Sequence, residues 1–235
     1  MHLEGASPLQ QNDEALAKLF ELGVRSVGLT WNARNAAADG VGVESPRGLS
    51  TWGRDLVREL GRLGILLDVA HLAEPGFWDL IECAISPVLA THANSAQVYP
   101  HARNLSDDQI RAIRGTGGLV GVCFFPSFVD ETPSIAKVID HVDHLLEVGG
   151  SDAVAIGGDY IDFARDLIVS DMLWPSEAGK HEAPDWRFPP GLEDVSLLPN
   201  LTAAMFERGY AESKVAAILG GNALRVLQST LPAHS

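Results

Sequence analysis

Cysteine is almost missing from this sequence: 235 residues carry two, Cys83 and Cys123. Two lone thiols in apolar stretches make no disulfide framework, and each is expected to pack as a small hydrophobic residue. Basic residues are scarce as well, with 17 Lys and Arg against 31 Asp and Glu, a net charge of −14 and a pI near 4.8. That balance excludes nucleic acid, or any partner bound through a phosphate backbone. No apolar run approaches the roughly 18 residues of a membrane span. The N-terminus has no basic-then-apolar signal pattern, and neither end carries a lipid-anchor signal. The expectation is a soluble, cytoplasmic protein with no membrane partner.

What is present is a globular composition, 46% apolar and 20% charged, too apolar for a disordered chain. A chain of this length can bury roughly 70% of its unfolded surface. No linker or low-complexity tract divides it, so residues 1–235 are read as one domain.

Apolar strand patterns alternate with amphipathic helix patterns along the chain. The helices are expected over 13–22, from a Ser50 cap to Leu63, and over 75–84, 106–114 and 134–148. Strands are expected over 26–30, 65–70, 87–91, 119–125 and 154–157, with Leu3 closing a further strand before Glu4. Residues 31–48 read as loop, and a proline-bearing polar stretch begins near Asp162. Helical patterns over 197–208, 212–219 and 222–227 end the chain. Strand–helix units of this kind imply a parallel sheet with right-handed crossovers. Six strands leave two architectures open: a doubly wound sheet, or a (β/α)₈ barrel that lacks two units.

In either architecture, reactive groups sit at the carboxyl ends of the strands. One apolar run ends on His71 and the next on His92, one helix-plus-strand unit later. These two imidazoles should therefore project from adjacent strand ends on one rim. Glu4 and Asp159 end two other strands, completing a nitrogen–oxygen set suited to Zn²⁺. Arg103 lies in the loop beyond His92, where a guanidinium pairs either with a substrate carboxylate or with a structural acid. His101 is read as a loop residue near the site. His141 and His144 are read as a solvated helix face rather than a second metal pair. The Gly157-Gly158 pair lacks the lysine and glycine spacing of a phosphate loop.

At these residues the chain resembles the membrane dipeptidase (renal dipeptidase) family of binuclear zinc peptidases. The stretches that carry the resemblance are LGVRSVGLTWN (22–32), GLSTWGRDLVRELGRLGILLDVAHL (48–72), PVLATHAN (87–94), ARNLSD (102–107), GGDY (157–160), GLEDV (191–195) and GNALRVL (221–227). The resemblance implies an α/β fold of the (β/α)₈ TIM-barrel type, with about six of the eight strand–helix units present. It also implies a small dipeptide substrate, possession of a free carboxylate by that substrate, and a site of two zinc ions.

By that resemblance Glu4 is the metal-bridging carboxylate, and His71 and His92 are the imidazole ligands of one zinc. Arg103 orients the dipeptide, and Asp159 ligates near the second zinc and moves a proton to the leaving amine. Two departures stand out. Trp31 occupies the position of a family histidine near the scissile carbonyl; its indole N–H can donate but cannot hold charge. The family's opening His-x-Asp pair has no counterpart, since position 4 after His2 is Glu.

The second zinc site is therefore expected to be incomplete. Two accounts, a piece of a longer gene product or a misassigned start, stand against a truncated protein that forms a homodimer across the gap. The leading functional expectation is a zinc dipeptidase. Its rivals are a remnant that binds metal or a partner without turnover, and another metal-dependent amidohydrolase on the same barrel.

Overall fold

A computed structural model describes residues 1–10, 13–160 and 187–230. The polar stretch expected from Asp162, with Pro175 and Pro184, lies outside these residues. Six strands form one parallel sheet in sequential order: β1 (His2–Glu4), β2 (Ser26–Gly28), β3 (Leu66–Asp68), β4 (Val88–Ala93), β5 (Leu119–Val122) and β6 (Val154–Ile156). A parallel sheet whose spatial order follows its chain order is the wall of a (β/α) barrel rather than a doubly wound sheet. Among the described residues the wall is open, with β1 and β6 at its edges.

The crossover helices are α1 (Asp13–Glu21), α2 (Thr51–Arg62), α3 (Glu74–Cys83), α4 (Asp107–Gly115), the short α5 (Pro126–Val129) and α6 (Ile135–Gly149). Local chemistry fixes their starts. Ser50 caps α2 by accepting from Gly53 N at 2.9 Å, and Ser106 and Gln109 form a reciprocal capping box on α4. Ser134 caps α6, which stops at Gly150, where φ is 86°.

Side chains alternate across each strand. Val27, Leu67, Val88, Val120 and Val154 face outward into the helix layer and form the main core. Leu66, Leu89, Leu119 and Ala155 face inward and close against Val226. Val226 belongs to α9 (Asn222–Thr230), which follows α7 (Leu198–Glu207) and α8 (Glu212–Ala216). The inward layer above these apolar residues is polar, with His2, Glu4, Asp68 and Thr91 continuing the same strand faces.

Several boundaries differ from the sequence reading for local reasons. The strand expected over 119–125 ends at Val122, because Phe125 caps the Pro126 turn of α5. The helix expected over 212–219 stops at Ala216 and passes through a π-type turn, Ala217–Gly221, into α9. Cys123 is buried as expected. Cys83 is half-buried and packs against the core at the end of α3, with Arg54 Nη1 3.5 Å from its sulfur.

Candidate metal centre

The centre is built at the carboxyl ends of three strands. After β3 the chain turns through Val69 and Ala70, with Asp68 Oδ1 accepting from Ala70 N at 3.1 Å. It then presents His71 with φ at 64°, a left-handed conformation uncommon outside glycine. The 31–48 loop grips this residue. Its carbonyl accepts from Thr30 Oγ1 at 3.3 Å and from Val41 N at 2.9 Å. Its Nδ1 meets Asn32 Oδ1 at 2.7 Å.

His92 lies within β4, at a bulge. Ala90 pairs with Val120 and Ala93 with Val122, so Thr91 and His92 together oppose the single residue Gly121. Glu4 ends β1, and the next residue, Gly5, donates its N–H to Gly28 O at 3.0 Å.

These placements bring three acceptor atoms together. His71 Nε2 and His92 Nε2 stand 3.0 Å apart, and Glu4 Oε1 lies 3.2 Å and 3.4 Å from them. A tetrahedral ion with bonds of ~2.0–2.1 Å needs ligand atoms about 3.3 Å apart. Burial, and secondarily the Arg103 charge, push both imidazoles below their ordinary pKa, leaving them neutral with lone pairs to offer. Ring nitrogens and a carboxylate oxygen at this separation call for a proton on one ring nitrogen or a cation between them. The donor set therefore fits a divalent ion such as zinc. It is the one such cluster among the described residues.

Arg103 is buried beneath His92. Its Nη2 donates to the His92 carbonyl oxygen at 3.2 Å, while its Nε has no hydrogen-bond partner. The described residues provide no carboxylate in salt-bridge contact with it. Its backbone N donates to His101 Nδ1 at 3.0 Å, which places His101 beside the site. Asp159 follows Gly157 and Gly158 beyond β6 and has φ at 55°. Burial raises its carboxyl to about 6, opposed by the Arg103 charge and reinforced by Glu4. Its Oδ2 lies 3.9 Å from Cys123 Sγ. The Trp31 ring centroid lies 5.8 Å from that of His71.

The structure thus unites Glu4, His71 and His92, with Arg103 and Asp159 around them. His141 and His144 do not form a pair. His141 is fully buried between Ser95 N and the Val129 carbonyl, so the solvated-face reading fails for it. His144 binds Asp107 at 2.8 Å. Sequence reading missed Asn32, Asp68 and Thr91. Asp68 carried a signal, as a carboxylate inside an apolar run, whereas Thr91 carried none.

An open (β/α) barrel with a two-histidine, one-carboxylate cluster at its strand ends is a scaffold that can hold a metal centre. The sequence model of the membrane dipeptidase family, peptidase family M19, matches residues 1–169 and 183–234, and the chain belongs to that family.

An uncharacterised protein from the pqqA 5′ region of Klebsiella pneumoniae is 33% identical over 97% of this chain and 80% of its own length. An uncharacterised dipeptidase of Schizosaccharomyces pombe is 34% identical, covering 98% of this chain and 52% of that protein. The crystal structure of a metallopeptidase from Rhodobacter sphaeroides, liganded with a phosphinate mimic of the dipeptide L-Ala-D-Ala, superposes with a TM-score of 0.83. It is 34% identical over 98% of this chain and 63% of its own. The chain thus spans only about half to two thirds of the latter two proteins. No described helix is long and apolar enough to cross a membrane.

Proposed function

We propose that this chain carries the metal-binding core of a zinc-dependent dipeptidase. Glu4, His71 and His92 hold one zinc, which when bound supplies a Lewis acid and lowers the pKa of its water. Arg103 binds the free carboxylate of a small dipeptide. Its burial beside the cluster, with Nε unpartnered, is the observation that carries this reading, because a buried guanidinium held only by a carbonyl and the Phe128 ring still calls for an anion.

Asp159, raised by burial to about 6, would take a proton from the attacking water at its carboxylate oxygen and pass it to the leaving amine. In this reading Trp31, whose ring lies beside that of His71, contacts the substrate. Dipeptides with a D-residue at the carboxyl side are included, by likeness to the Rhodobacter relative. The acidic composition and the two unpaired thiols favour a cytoplasmic setting.

A second reading, a metal-binding module without turnover, is favoured by one observation: a single ligand cluster among the described residues. Zinc stoichiometry and dipeptide hydrolysis measured on the same samples separate the two. About one zinc or more per chain with turnover supports the peptidase. Bound zinc with no turnover supports the module, and no bound zinc overturns both.

A further inference from the structure

We infer that Asp68 and Thr91 are positioning residues for His92, acting through a hydrogen-bond relay that the β4 bulge creates. In a regular strand, neighbouring side chains point to opposite faces, so Thr91 and His92 could not meet. Thr91 continues the inward face of Leu89, and the bulge brings His92 to that face as well. Thr91 Oγ1 is then 2.9 Å from His92 Nδ1 and 2.6 Å from Asp68 Oδ2. Asp68 is buried, and its other oxygen accepts from Thr91 N at 2.8 Å and Ala70 N at 3.1 Å.

The direction of the relay follows from counting protons. A carboxylate only accepts, so the one Thr91 hydroxyl proton goes to Asp68. The hydroxyl oxygen must then accept from His92 Nδ1–H. This leaves the Nε2 lone pair directed at Glu4 and His71, the tautomer a metal ligand requires. Asn32 does the same for His71, because an amide oxygen at Nδ1 also selects Nδ1–H. The two imidazoles are thus oriented by unlike devices, one from a loop and one from a barrel-interior carboxylate.

Two glycines make room for the relay. A Cβ at Gly121 or Gly157 would overlap the Thr91 carbonyl oxygen, so the bulge can lean inward only over bare backbone. At the far side, His2 Nε2 lies 3.5 Å from Asp68 Oδ2, closing the polar layer from β1.

The inference rests on the zinc reading, but its first readout does not. Nitrogen-15 NMR of the zinc-free chain reports the His92 tautomer directly. The unsubstituted chain is expected to show Nδ1–H at His92. Thr91→Val, which keeps the side-chain shape, should shift the population toward Nε2–H and weaken zinc binding about 10- to 100-fold in a chelator competition. Thr91→Ser should restore both. An unsubstituted chain with Nε2–H at His92 overturns the relay, as does a Thr91→Val chain whose tautomer is unchanged. Nδ1–H in a chain that binds no zinc would sustain the relay while removing the zinc reading. A circular-dichroism melt confirms that each variant is folded.

Discussion

Arg103 Nη2 donates to the carbonyl oxygen of His92 at 3.2 Å, so a buried positive charge is tied to the backbone of a metal-ligand residue. The same burial pushes the guanidinium below its ordinary pKa, the mark of a charge held without full compensation. An apolar side chain of similar length is therefore expected to suit the unliganded fold at least as well. Arg103→Met should lower dipeptide turnover by about 100-fold or more while leaving the melting temperature unchanged or raised. A melting temperature that falls with turnover would show that Arg103 also supports the fold.

Removing metal should cost stability as well as activity. Two neutral imidazoles 3.0 Å apart and a carboxylate oxygen beside them gain most from a bound ion. A ligand at ~1,000 times its Kd stabilises a fold by about 4 kcal/mol. Chelation is expected to lower the thermal midpoint by several degrees, and zinc should restore it. In His71→Ala the midpoint should no longer respond to zinc, which calorimetry on the paired samples would check.

Gly157 is expected to be among the least replaceable glycines. Gly157→Ala would drive a methyl group into the Thr91 carbonyl and push β4 away from β6. A cost above ~2 kcal/mol is expected in urea unfolding, together with weaker zinc binding. Gly117→Asn is the control. No atom lies within 4 Å of a Cβ there, and Asn tolerates its φ of 78°.

Acid should loosen the loop that holds Asn32. Asp39 is buried and accepts a two-pronged bond from Arg34 and one from Arg47 N at 2.7 Å. These bonds hold its carboxyl below its ordinary 3.8. The unfolded chain therefore takes up this proton first. The contribution is complete above the ordinary value and lost as pH falls through the lowered one. Asp39→Asn should lower the urea midpoint at pH 7, and the gap between the two proteins should narrow as pH falls below the ordinary carboxylate value. A constant difference across that range would refute the assignment.

The legibility of the sequence followed the regularity of the backbone. Glu4, His71 and His92 stood out because each sits where an apolar run meets polar residues, and parallel topology sends such positions to one rim. The sequential sheet was legible for the same reason, although the choice between barrel and doubly wound sheet required either the pairing order or the family resemblance. Thr91 was invisible because strict alternation assigns it to the face opposite His92, and only the bulge reverses that. His141 was misread because its partners, Ser95 N and the Val129 carbonyl at the end of α5, lie outside its own helix and cover the face that periodicity alone leaves to solvent.

His71 and Asp159 are the two non-glycine residues with positive φ among the described residues; the first belongs to the metal cluster and the second lies near it. For an L-residue that conformation costs roughly 1–2 kcal/mol that glycine would recover. A laboratory selection for thermal tolerance alone, run without metal or substrate, would thus press on these two codons first and drift toward glycine or asparagine. The chemistry would be erased while the barrel became sturdier, so a screen meant to harden this protein needs a functional gate at both positions.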